Sequence, residues 1–328
     1  MRTIDFVRAE DVGAAIDAVA HDRSARFLAG GTTLVDLMKC GVEQPARVVD
    51  VMRLPGLDTI DASEARLHLG ALARISDVAD HPAVRERWPG VSEALWKGAS
   101  QQLRNMATIG GNLLQRTRCS YFRDPVFAAC NKRDPGSGCA ALEGENRTHA
   151  VLGTSEHCIA TYPGDLGVAL LALDAVVHTR GPDGQRSFPI DDLFLLPGDT
   201  PEREHTLAWG ELITGVEVPS SAVARRSHYL KVRDRESYEF AAASAAVGLE
   251  LSDGVVRAAR VALGGVATRP WREKPVEAAL IGRPAGEQVF REAAALAAGG
   301  ARPRELNAYK IELARRTVAR ALAIAGGL

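Results

Sequence analysis

Apolar residues recur at helical spacing in "VGAAIDAVA" near the start of the chain, and a short strand-like run, "ARFLAG", follows. "LVDLMK" predicts the opening of another helix and "ARVVDV" another strand, so residues 1–60 read as small α/β units. A second α/β stretch comes next. "RLHLGAL" predicts a strand, "ISDVADHPAVRERW" and "VSEALWKGA" are helical, and "DLGVALLAL" (Asp165–Leu173) is an apolar helix running into "DAVVHT". Gly181-Pro182-Asp183-Gly184 then turns the chain into "QRSFPI". A third region begins near Ala224, after "ELITGVEVP". There "SHYLKVRD", "FAAASAAVGLEL" and "VVRAARVALGG" predict strands, with Asp253-Gly254 as a hairpin turn and helices over about 273–281, 286–298 and 305–325.

Between Gln115 and about Ala160 neither period holds. The segment is rich in Gly, Pro, Arg and Asp, and a loop of that length inside a domain is uncommon and usually functional. Deleting it would join "IGGNLL" to "YPGDLGVALLAL" without breaking a predicted element, so it reads as an insertion.

Composition narrows the class. The 328 residues suffice for two or three domains, with 46% apolar and 25% charged residues, as in ordinary globular proteins. A net charge of −1 gives no electrostatic footprint for nucleic acid or an acidic membrane. No apolar run reaches the ~18 residues of a membrane span. "MRTIDFVRAEDVGAAIDAVA" lacks the apolar core of a signal peptide, so no export signal is expected in this chain.

Two glycine turns stand out. Gly30, Gly31, Thr32 and Thr33 lie between a strand and a helix, where bare backbone N–H groups can face a phosphate. Gly110 and Gly111, followed by Asn112, offer a second such turn. Neither is a GxGxxG or a Walker loop, and on spacing alone two tight structural turns remain an equal reading.

Four of the five cysteines, Cys119, Cys130, Cys139 and Cys158, fall within 40 residues of the insertion. Their spacing, C-x10-C-x8-C-x18-C, lacks the close pairs of most zinc sites, yet four thiolates could hold zinc or a [4Fe–4S] cluster. Disulfides and free structural thiols are the other readings. His149 and His157 are alternative zinc ligands. Cys40 reads as an unreactive thiol at a helix end. The arginines of "QRTRCSYFRD" and "NKRD" could offset the charge of a thiolate cluster or belong to a solvated loop.

"LAGGTTLVDLMK" and "LRNMATIGGNLL" together resemble the FAD-binding medium subunit of the molybdenum hydroxylases, the xanthine dehydrogenase and carbon monoxide dehydrogenase family. "PGDLGVALLAL", "ELITGVEVP" and "YLKVRDRESYEFA" extend the resemblance over essentially the whole chain. It implies an α+β protein. A flavoprotein domain of the vanillyl-alcohol oxidase (PCMH) type would span 1–222, with subdomains at about 1–60 and 61–222 and the insertion at about 115–160. The family's C-terminal domain would cover 224–328.

The resemblance also implies that both turns cradle the FAD pyrophosphate. The first would use Leu28, Ala29, Gly30, Gly31, Thr32, Thr33 and Leu34, and the second Thr108, Ile109, Gly110, Gly111 and Asn112. Asp165 would contact FAD, Leu212 and Ile213 would lie beside the flavin, and Lys231 would stand near its ring to stabilise negative charge on the reduced form. From the residues alone, the plain alternatives are a helix cap for Asp165, a role compatible with FAD contact, and a solvated strand-end lysine for Lys231.

Most medium subunits lack the insertion. Those that carry it resemble periplasmic aldehyde oxidoreductases and 4-hydroxybenzoyl-CoA reductases, where it holds a [4Fe–4S] cluster. This implies Cys119, Cys130, Cys139 and Cys158 as ligands, with little else expected to order the loop.

The function implied is electron transfer in a heterotrimeric molybdenum enzyme that oxidises aldehydes. The molybdenum cofactor would sit on a large partner subunit and [2Fe–2S] clusters on a small one, and this chain would carry no catalytic residue of its own. The complex would be periplasmic, exported with a signal-bearing partner, or cytoplasmic. The alternatives are the same architecture run as a hydroxybenzoyl-CoA reductase, a self-contained flavin oxidase, and a zinc-stabilised scaffold.

Overall fold

A computed structural model describes residues 3–328. Asp11 starts the first helix, its side chain accepting the Ala14 N–H, and the helix Val12–Ala20 buries Ala15, Ile16 and Val19. Ala15 and Val19 cover a small parallel sheet of β1 (Asp5–Arg8), β2 (Ala25–Leu28) and β3 (Arg47–Asp50), in the order β1-β3-β2. Parallel neighbours need a crossover, and here the helices Val12–Ala20 and Leu34–Lys39 supply it.

The second stretch forms an antiparallel sheet rather than further parallel α/β units. Its strands are β4 (Ile60–Ala62), β5 (Arg66–Gly70), β6 (Val176–Gly181), β7 (Gly184–Pro189) and β8 (Leu212–Pro219), ordered β4-β5-β8-β6-β7. Alternation explains the layering. Leu67, Leu69, Val177, Val216 and Val218 point into the core, while Arg66, His68, His178 and Glu217 face outward. The core is completed by the helices Pro89–Trp96 and Asp165–Ala172, and every residue of the latter is buried. "ISDVADHPAVRERW" breaks at His81-Pro82 into two short helices because the residue before a proline leaves the helical region.

The C-terminal sheet joins β9 (Ser227–Val232), β10 (Ala243–Ser252), β11 (Val255–Gly264) and β12 (Trp271–Arg272), ordered β12-β11-β10-β9. Asp253 and Gly254 both adopt positive φ, the conformation that the tight hairpin between β10 and β11 demands. Its inner face packs on helices Lys274–Leu280, Glu287–Ala294 and Tyr309–Gly326. Among the described residues no helix is long and apolar enough to cross a membrane.

The cysteine-bearing segment is irregular apart from the short helix Ser120–Arg123 and a bridge pairing Cys130 with Cys139. It is not free-standing. Phe122 and Cys130 pack on Leu37 of the N-terminal lobe. On the other side Asn307 and Lys310 donate to the carbonyls of Ala150 and Thr148, and Val151 donates to the Val266 carbonyl. The expectation that little besides a metal would order this loop is therefore overturned.

Candidate functional site: a cofactor cleft beside a cysteine lobe

A cleft of about 780 Å³ opens where the parallel sheet, the antiparallel sheet and the cysteine lobe meet. That volume lies within the range of roughly 300–1,000 Å³ usual for cofactor sites. Ala29, Gly30, Gly31, Thr32, Thr33 and Leu34 line one side, and Thr108, Gly110 and Gly111 another. Leu212 and Ile213, at the start of β8, also reach it.

The two turns differ in what they offer. From Gly30 to Leu34 no N–H donates to a backbone acceptor among the described residues. Gly31 takes φ +72°, a left-handed value that turns this run toward the cleft. Five consecutive unclaimed N–H groups form a concavity suited to an anion. The second turn has spent its donors. Ile109 and Gly110 donate to the carbonyls of Ala73 and Ala71, and Gly111 donates to Thr108 Oγ1 at 3.3 Å. It contributes bare Cα surface and holds the first turn in place, because the Gly30 Cα packs against the Met106 carbonyl.

The remaining expected cofactor residues separate into two groups. Leu28 closes β2 beneath the first turn, Ile109 is fully buried in the central core, and Asn112 keeps a buried Oδ1 without a partner. None of these three lines the cleft. Asp165 and Lys231 do not line it either. Lys231 Nζ donates to Asp165 Oδ2 at 2.8 Å and to the Lys97 carbonyl at 3.0 Å, and Tyr229 Oη donates to Asp165 Oδ1 at 2.6 Å. Their side chains are 1% and 9% exposed, so the alternative of a solvated strand-end lysine is overturned. The helix-cap reading of Asp165 fails too, since Gly164 holds the cap position and no side chain caps there.

The sequence reading missed a charged rim. Arg116 binds Glu43 at 2.7 Å and Glu204 at 2.5 Å, and Lys132 binds Glu204 at 3.1 Å. Burial opposes these charges, but the partners outweigh it, holding Arg116 above and Glu204 below their ordinary pKa values. Glu202 Oε2 and His205 Nδ1 are buried cleft atoms without partners, and burial keeps His205 below its usual range. Unpaired polar atoms in a cleft of this size fit a polar ligand. No motif marks these residues, and the chain brings them together from four distant segments.

Cys119, Cys130, Cys139 and Cys158 line one small void, with Cys40 apart at the end of helix Leu34–Lys39. No disulfide links them, and among the described residues no three of their sulfurs lie within 4.8 Å of one another. Burial pushes the Cys119 thiol up to about 12 and the Cys158 thiol to about 11, with Lys132 pulling Cys158 the other way. Four soft thiols around one void are a donor set that iron–sulfur clusters and zinc both accept. His149 Nε2 lies 3.2 Å from Cys119 Sγ, whereas His157 lines the void. The flanking arginines do not neutralise this site. Arg118 and Arg123 both bind Asp36, and Arg133 donates to the Tyr121 and Phe122 carbonyls, so they fasten the lobe instead. Cys158, Ala160 and Lys132 line both the void and the cleft, which therefore share a wall.

Residues 2–221 match the family described as the FAD binding domain in molybdopterin dehydrogenase. Residues 228–325 match the CO dehydrogenase flavoprotein C-terminal domain. The chain is similar to the aldehyde oxidoreductase FAD-binding subunit PaoB of Escherichia coli (strain K12), 46% identical over 325 residues and 98% of each chain. It is also similar to the glyceraldehyde dehydrogenase medium chain of Sulfolobus acidocaldarius, 27% identical over 88% of this chain and 85% of that one. Among solved structures, the carbon monoxide dehydrogenase of Hydrogenophaga pseudoflava superposes with a TM-score of 0.76 at 26% identity, covering 99% of this chain and 98% of that one. With a free-amide cradle in a cofactor-sized cleft and both family domains spanning nearly its whole length, the chain belongs to the molybdenum hydroxylase family as one of its FAD-binding oxidoreductase subunits.

Proposed function

We propose that this chain is the FAD and [4Fe–4S] electron-transfer subunit of a heterotrimeric, molybdenum-dependent aldehyde oxidoreductase. Its partners would be a large subunit with the molybdenum cofactor and a small subunit with [2Fe–2S] clusters. The complex would be periplasmic by export with a signal-bearing partner, or cytoplasmic. The observation that carries the reading is the convergence of Cys119, Cys130, Cys139 and Cys158 on one void that shares a wall with the cofactor cleft. The aldehyde assignment rests on the near full-length similarity to PaoB.

When bound, FAD would exchange electrons in pairs or singly and the cluster one at a time. The protein's part is to hold and to insulate. The N–H groups of Gly30–Leu34 would hold the pyrophosphate, with the hydroxyls of Thr32, Thr33 and Thr108 at hand. Leu114, Leu212 and Ile213 supply apolar wall that excludes water from the cleft. The four cysteines would each bind one iron. A single zinc would need its thiolates about 3.8 Å apart from the ~2.3 Å Zn–S bond and tetrahedral geometry. A [4Fe–4S] cluster would bind each thiolate at its own iron and so would not require that close approach. Asp165 and Lys231 would act through Tyr229 and the Lys97 carbonyl to fix the floor of the domain.

The test is compositional first and kinetic second. The purified chain should contain one FAD and four iron atoms. Cys139→Ala should lose the iron, and Cys40→Ser should keep it. Four irons persisting in Cys139→Ala would overturn the ligand set. Mixed alone with an aromatic aldehyde and a dye acceptor, the chain should not turn over. With both partners present, the aldehyde should bleach its flavin. Sustained turnover by the single chain would instead identify a self-contained oxidase.

A further inference from the structure

On the outward face of the central sheet, outside the linings of both the cleft and the cysteine void, three metal-binding side chains meet. His68 on β5 stands directly opposite Glu217 on β8, and His178 on β6 pairs with Gly215 two residues earlier on β8. One ligating atom from each of His68, His178 and Glu217 lies within 4.8 Å of the other two. None of the three lines the cleft. We infer that His68, His178 and Glu217 form a binding site for a divalent transition cation of the zinc type, bridging β5, β8 and β6.

Two features beyond proximity support this. The first is clearance. A Cβ on Gly215 would stand 2.9 Å from His68 Cε1 and 3.3 Å from His68 Nε2, so the glycine is what lets the His68 ring lean over β8 toward His178. The two ring centroids are 6.0 Å apart. The second is orientation. His178 Nδ1 lies 2.7 Å from Ser187 Oγ on the neighbouring strand β7. A hydroxyl accepting the Nδ1–H leaves the Nε2 lone pair for an ion, the outer hydrogen bond that metal-binding histidines generally carry.

The donor set selects the ion. Two imidazoles and a carboxylate suit zinc, copper or nickel, while calcium and magnesium require oxygen ligands. At metal–ligand distances of about 2.0–2.1 Å, tetrahedral ligands stand about 3.4 Å apart, so side-chain rotation alone closes the site. The fourth position is open to water. Arg66 holds Glu217 Oε2 at 2.7 Å, which leaves Oε1 to meet the ion and adds a nearby positive charge that weakens binding.

The experiment uses the full-length, tag-free chain loaded with flavin and iron, stripped of loose metal by a chelator, and titrated calorimetrically with zinc chloride. One zinc per chain is expected. His68→Ala and His178→Ala should each weaken it at least tenfold, Ser187→Ala severalfold, and Arg66→Ala should tighten it. Magnesium chloride should give no heat. The substituted side chains are partly exposed on the outward face, so the melting temperature of each variant in chelator should match the parent. Cobalt(II) in place of zinc separates this site from the cysteine lobe, because cobalt–thiolate bonds absorb strongly in the near ultraviolet and a histidine–carboxylate site does not. Unchanged zinc affinity in the His68→Ala/His178→Ala double variant, or a thiolate spectrum with cobalt, would overturn the assignment.

Discussion

Replacing Gly30 with alanine probes the contact that holds the two glycine turns together. The φ of Gly30 is not left-handed, so alanine meets no backbone penalty, and the whole effect is steric. The added Cβ would lie 1.8 Å from the Met106 carbonyl oxygen and 2.6 Å from its carbon, where ordinary contact begins at 3.4 Å. The turns must part by the difference, 3.4 − 1.8 = 1.6 Å. Both colliding groups are backbone, so no rotamer change relieves the clash. The Met106–Gly110 side is pinned by Met106 and Ala107 donating to the Leu103 carbonyl, by Ile75 donating to the Ala107 carbonyl, and by Gly110 donating to the Ala71 carbonyl. Losing two of these costs about 2 kcal/mol at about 1 kcal/mol each, and overpacking adds roughly 1–3 kcal/mol.

An expected loss of about 3–5 kcal/mol corresponds to an apo melting temperature lower by about 6–20 °C, at about 2–4 °C per kcal/mol. A 1.6 Å separation also exceeds the tolerance of an N–H···O bond, so flavin content should collapse. Differential scanning fluorimetry of the flavin-free chain reads the first effect, and flavin absorbance per chain reads the second. Gly111→Asp is the contrast. A Cβ there meets only the movable Thr108 hydroxyl at 3.1 Å, so the apo melting temperature should shift little while the carboxylate repels a pyrophosphate. A Gly30→Ala chain that melts like the parent and retains full flavin would refute the packing argument.

Asp165→Asn should destabilise even the flavin-free chain by about 3–5 kcal/mol in urea unfolding, because it strands a buried ammonium, and pairing it with Lys231→Met should recover part of that loss. No loss in the apo chain would return the pair to a purely cofactor-facing role. Burial, aided by the Arg147 charge, brings the Lys310 ammonium from 10.5 down to about 7. Its folded pKa lies below its unfolded one, so the unfolded chain binds more protons between those values and stability should rise with pH from about 7 to about 10.5. Lys310→Met should flatten that rise, and an unaltered slope would show that another group sets it. Arg116→Met should lower flavin retention and apo stability together, since it leaves Glu43 and Glu204 facing each other across the cleft rim. Equal flavin affinity in that variant would remove the rim from the site.

Much of the secondary structure follows from local pattern. The helix Val12–Ala20, the hairpin at Asp253-Gly254 and the three C-terminal strands are set by spacing and turn chemistry, because each depends on residues a few positions apart. The family and its cofactor came from the resemblance that the two glycine motifs carry, since their spacing alone fits tight structural turns equally well. Only the tertiary structure decided that the middle strands form an antiparallel sheet, since hydrophobic alternation does not encode which strand lies beside which. It gave Gly30 a second duty, against a carbonyl 76 residues further along the chain. It drew the charged rim together from residues 43, 116, 132 and 204. It turned Asp165 and Lys231 inward onto each other, and it diverted Arg118 and Arg123 beside the cysteines to Asp36, outside the insertion. Ion pairs carry no period and no fixed spacing. Their partners are chosen by where the packed lobes bring opposite charges out of water together, and that geometry exists only once the chain has folded.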